Sequence, residues 1–180
     1  MSMPDPVEEF MRHTAPDAAA HAQGISGLRE KLGHALLAGD PLTIVDHAAD
    51  LGSMLTTDRK EVEAVALLEQ HAAAAEGLPN EEPAGWFWNA YATALQYTGR
   101  RAEADAYFAK TLDLCRASGW SRLQALALHH WGRNLVEQGR LAEAQARISE
   151  ALAIRVQLND PRQASSRRAL DALAERRKQA

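Results

Sequence analysis

Three stretches of this chain superpose when the sequence is shifted by 40 residues, and that period constrains the fold more than any other feature. Leu51-Gly52 falls on Tyr91-Ala92 and on Trp131-Gly132, and Leu55 falls on Leu95 and Leu135. Arg59-Lys60 falls on Gly99-Arg100 and Gly139-Arg140, Glu63-Ala64 on Glu103-Ala104 and Glu143-Ala144, and Leu68 on Phe108 and Ile148. Self-similarity at a fixed period marks units that bury an apolar face only against their neighbours. Within a unit the spacing is helical. Trp88, Tyr91, Ala92 and Leu95 step by i, i+3, i+4 and i+7, and Ala104, Phe108 and Leu112 step by four. Breakers recur at "AGDP" (38–41), "GLPNEEP" (77–83), "TGR" (98–100), "SGW" (118–120), "QGR" (138–140) and "NDP" (159–161). The chain is rich in Ala, Leu, Glu, Gln and Arg and lacks the β-branched alternation of strands. An all-α array of helical hairpins follows.

The pattern W-x-x-[YLW]-[AG]-x-x-L-x-x-x-G-x-x-x-E-A-x-x-x-[FIL]-x-x-[AT]-L resembles the tetratricopeptide repeat family. Trp88, Tyr91, Ala92, Leu95, Gly99, Ala104, Phe108 and Thr111 match its signature positions in one unit. Leu128, Trp131, Gly132, Leu135, Gly139, Ala144, Ile148 and Ala151 do so in the next, with Pro161 closing it. The usual repeat is about 34 residues, so the 40-residue step is similar to the long-repeat branch found in many bacterial regulators. Ala48 and Arg59 depart from the pattern in the first unit. The resemblance implies a right-handed superhelical solenoid of antiparallel hairpins, with about seven to nine helices in all. Residues 1–23 read as a partly flexible N-terminal segment, with a short helix around Val7–Met11. Residues 24–180 read as the array. Its repeats span 44–83, 84–123 and 124–160, and a capping helix spans 161–180, with Asp160 as N-cap and Pro161 in its first turn. Residues 24–39 read as a degenerate preceding helix with a Leu28, Leu32, Leu36 stripe.

Composition excludes several functions. The net charge of −4 argues against a nucleic-acid surface over the whole molecule. The basic stretch from Arg162 to Lys178 reads as a solvated cap, with contact to RNA, phosphate or acidic lipid as the alternative. One cysteine, Cys115, rules out an intrachain disulfide, fits a reducing, cytoplasmic setting, and reads as a small buried hydrophobe. The N-terminus has no basic region followed by an apolar run, and no stretch reaches about 18 apolar residues, so neither a leader nor a membrane span is expected. Ala- and Arg-rich composition points to a GC-rich bacterial genome. No nucleophile elbow, phosphate loop, dinucleotide fingerprint or zinc-protease motif occurs. His129 and His130 point about 100° apart on a helix, and the other histidines are scattered, so neither a metal nor a cofactor is expected.

A hairpin array offers a concave surface lined by the first helix of each unit, and in the family that face is the usual ligand surface. Stepping about 100° per residue from Trp88 places Trp86, Asn89, Thr93 and Tyr97 on it. The next unit contributes Leu126, His129, Arg133 and Glu137, and the preceding one Asp46, Ala49, Ser53 and Thr57. Trp86, Asn89, Thr93, Tyr97, His129 and Arg133 form the candidate partner groove: aromatic anchors with polar groups that fix a peptide's register. The Lys and Asn set with which family members clamp chaperone tails is absent as a pattern. The reading is a non-enzymatic adaptor for a protein or peptide segment. A homo-oligomeric scaffold (a homodimer in the simplest case) and a small-molecule-binding or biosynthetic enzyme on the same scaffold stay open.

Overall fold

The computed structural model describes residues 9–179. Among these residues there are eight helices and no strand: α1 (Ala18–Ala38), α2 (Pro41–Thr57), α3 (Glu61–Glu76), α4 (Glu82–Tyr97), α5 (Arg101–Ser118), α6 (Ser121–Glu137), α7 (Leu141–Gln157) and α8 (Gln163–Gln179). Consecutive helices pack on one another, and α2 also packs on α4. The hairpins α2–α3, α4–α5 and α6–α7 are the three repeats. The first begins at Pro41, three residues ahead of the sequence boundary, because Asp40 caps it and Pro41 takes the first helical position. At the N-terminus, α1 starts at Ala18, where the Asp17 carboxylate accepts from the amides of Ala19 and Ala20 at 3.0 Å. The short helix expected around Val7–Met11 is not seen at 9–11; Val7 and Glu8 lie outside the described residues.

One backbone device makes the turns. Gly99 and Gly139 have φ of 82° and 74°, and the following amides of Arg100 and Arg140 reach back to the carbonyls of Leu95 and Leu135 at 3.0 and 2.9 Å. The first unit closes identically: Lys60 N donates to Leu55 O at 2.9 Å, with Arg59 at φ 60°. The glycine position is thus kept in geometry where it is lost in sequence, and a side chain bears the left-handed strain. At its start, α8 differs from expectation. Asp160 caps through Arg162 N at 2.8 Å, and regular helix begins at Gln163 rather than Pro161.

Small residues set how closely helices approach. A Cβ on Gly52 would stand 2.7 Å from Leu68 Cδ1, and one on Gly132 would overlap Ile148 Cγ1. The equivalent Ala92 is fully buried. Trp88, Tyr91 and Phe87 belong to a large core running from α1 to α5. Trp131 packs against that core and both smaller ones, and its indole donates to Asp105 at 2.7 Å. In α1 the buried stripe is Ile25, Leu32 and Ala35, with Leu28 at its edge; Leu36, expected in the stripe, is half exposed near the end of the helix, whose main packing partner is α2.

Candidate functional site

A groove runs across the first helices of the three repeats. It is lined by Ser53, Thr56 and Thr57 from α2, Asn89, Thr93 and Tyr97 from α4, and His130 and Arg133 from α6. The repeat brings them together, since corresponding helices present corresponding faces. Asn89 is buried, and its Oδ1 has no hydrogen-bond partner. The Thr93 hydroxyl donates to Asn89 O at 2.8 Å and therefore accepts from His130 Nδ1 at 3.2 Å. Burial raises the Tyr97 phenol above its usual range.

The groove is not empty of protein. Residues 9–13, which the sequence reading left in a partly flexible segment, lie along it. Phe10 N donates to Glu137 Oε1 at 3.0 Å, and Phe10 O accepts from Arg133 Nε at 3.1 Å. One residue's amide and carbonyl are thus both held by side chains of α6. The Phe10 ring is buried among Leu135, Val136 and Leu173, with the Arg176 guanidinium 5.6 Å from its centre. Arg12 stacks 4.1 Å over the Tyr97 ring, donates to Thr56 O at 2.8 Å, and pairs with Glu61 at 3.1 Å. Arg133 also donates to the Tyr97 hydroxyl. Glu137 is anchored from behind by Gln96 and Arg101, each at 3.0 Å. Between the segment and the helices a cavity of about 180 Å³ remains.

Of the residues singled out in the sequence, Asn89, Thr93, Tyr97 and Arg133 line this groove. Trp86 does not. It sits at the start of the second turn of α4, half-buried against the large core, and its indole donates to Glu82 at 3.2 Å. The helical angle points it toward the groove face, but the groove ends nearly a turn further along α4. His129 faces a second, larger cleft between α6, α7 and α8, also lined by Leu126 and Arg155. There the Arg155 Nη1 donates to Ser166 Oγ at 2.8 Å, and that hydroxyl lies 3.3 Å from His129 Nδ1. That hydroxyl keeps both its proton and a second lone pair for the ring, so the imidazole tautomer decides which group donates. Burial, reinforced by Arg155 and Arg133, holds His129 down to about 3, and His130 is held well below its usual value by the same causes. Arg12, His13, Thr56 and His130 were missed by sequence reasoning. No periodic signal marks residues 12 and 13, whereas Thr56 and His130 are helical neighbours of positions that were chosen.

Among the described residues no three His, Cys, Asp or Glu side chains come together as metal ligands, and no helix is long and apolar enough to cross a membrane. The architecture is therefore an all-α array of helical hairpins with a groove across its first helices. The crystal structure of BtubC (BKLC) from P. vanneervenii shares this fold, with a TM-score of 0.70 and 17% sequence identity over 88% of this chain and 67% of that one. No family model matches the sequence, and no curated protein does.

Proposed function

We propose that this chain is a peptide-binding interaction module of the tetratricopeptide type, whose groove across α2, α4 and α6 takes an extended segment bearing an aromatic anchor. The observation that carries this reading is the capture of Phe10 by its backbone: Glu137 takes its amide and Arg133 its carbonyl. Backbone capture is independent of side-chain identity and suits any extended ligand, while the buried ring and the guanidinium stacked on Tyr97 supply selectivity. The unsatisfied Asn89 Oδ1 adds an acceptor for a ligand donor that residues 9–13 do not fill. A binding role rather than catalysis is favoured because His129, at about 3, is too weakly basic to accept protons near neutral pH. With Cys115 buried and unpaired, the reading places the protein in a reducing, cytoplasmic setting.

The test is fluorescence anisotropy with a labelled peptide of the sequence EEFMRHTA, residues 8–15. The intact chain binds it weakly, because its own segment competes. A Phe10→Ala, Arg12→Ala chain loses that competition and binds at least about tenfold more tightly. Adding Arg133→Ala to this chain removes the gain. Equal affinity of the intact and Phe10→Ala, Arg12→Ala chains would refute the groove as a peptide site.

A further inference from the structure

The cleft between α6, α7 and α8 holds about 660 Å³ and has a charge pattern that the peptide groove does not explain. Arg133, Arg155, Arg162 and Arg168 line it together with Ser165 and His129, and none of its lining residues is acidic. Asp160 neutralises Arg162 through a pair at 2.6 Å. Arg133, Arg155 and Arg168 have no carboxylate partner among the described residues. Arg155 is the anomaly. It is only 2% exposed, yet its guanidinium meets a hydroxyl and the Arg162 carbonyl, and its Nε has no hydrogen-bond partner. A buried cation with no carboxylate bonded to it is costly, and an anion received there would offset that cost. Burial and the neighbouring Arg162, opposed by the attraction of Asp160, pull Arg155 down to about 10, which still leaves it charged at neutral pH.

We propose that this cleft binds a phosphoryl group, received by Arg155 at its floor and by Arg133 and Arg168 from α6 and α8. The three guanidinium groups come from three different helices. A planar carboxylate has two oxygens and is satisfied by one such fork, whereas a tetrahedral phosphoryl dianion presents acceptors to all three. Ser165 adds a hydroxyl from the first turn of α8. Either free inorganic phosphate or a small phosphomonoester supplies this chemistry.

Isothermal titration calorimetry of the full chain with inorganic phosphate, glycerol phosphate and acetate, at constant ionic strength in chloride, tests the assignment. Inorganic phosphate binds at one site per chain, and acetate binds more weakly. Arg168→Ala weakens phosphate by about tenfold; this side chain is exposed, so its removal leaves the fold intact. Arg155→Met abolishes binding. Glycerol phosphate binding more tightly than phosphate identifies a carried phosphoryl group, and weaker binding identifies the free ion; both uphold the site. Absence of phosphate binding, equal binding of acetate, or unchanged phosphate affinity in Arg168→Ala overturns it.

Discussion

Lowering the pH from 8 to 5 should destabilise this fold through His129. The ordinary histidine value is 6.5, and in the folded chain His129 stands at about 3. A base depressed on folding keeps its full contribution above the unfolded value, where neither state is protonated. As the pH falls below 6.5 the unfolded chain takes up a proton that the folded chain refuses, so stability drops until the folded value is reached. At pH 5 that single group costs about 2 kcal/mol relative to pH 8. His130 and His71 are shifted the same way and add to the slope. Asp50, raised mainly by its burial, acts in the opposite direction near the acid end. The assay is urea unfolding followed by tryptophan fluorescence in phosphate-free buffers at pH 8, 7, 6 and 5. His129→Gln keeps an acceptor for Ser166 without a titrating proton, so subtracting its profile removes every other group. The variant should lose about 2 kcal/mol less than the parent across this range. Parallel profiles for the two chains would refute a neutral buried His129.

Three smaller tests address the packing. Gly132→Ala should destabilise by about 1 kcal/mol or more, because its overlap with Ile148 outweighs the gain in helix propensity; Gly33→Ala meets nothing within 4 Å and should stabilise by about 0.5–1 kcal/mol, both measured by urea midpoint. Arg59→Gly should raise stability by about 1 kcal/mol by relieving the φ of 60°, offset only by the exposed pair with Glu9; a thermal midpoint that falls would contradict the strain. Cys115, fully buried and with its thiol pushed up to about 12 by burial, should resist a thiol-reactive chromophore at pH 8 until the chain is unfolded.

The hairpins were legible because every repeated residue has one mechanical job. Gly52, Ala92 and Gly132 let helices approach, Tyr91 and Trp131 fill the space between units, and Gly99 and Gly139 reverse the chain. Each job recurs at the same place in the period, so comparison within one chain substitutes for comparison among many. Arg59 shows the limit of that reading. The residue pattern lapses there, yet the turn persists, because five-residue backbone closure is imposed by the packing of α2 on α3 rather than by glycine alone.

The groove was half legible for a related reason. Helical angle selects a face but not a height along the axis. It therefore put Asn89, Thr93, Tyr97 and Arg133 on one face, where they line one groove, and carried Trp86 with them, although Trp86 sits nearly a turn short of the groove. What fills the groove was not legible at all. Glu9, Phe10 and Arg12 belong to no period, and nothing local to them signals that Phe10 would meet Leu135 and Leu173 from helices more than a hundred residues away. Periodicity reports interactions that repeat. The contacts that distinguish this chain are made once, between an aperiodic segment and a periodic surface. Arg133 stands where they converge, since it holds Phe10 in the groove and lines the cleft beyond it.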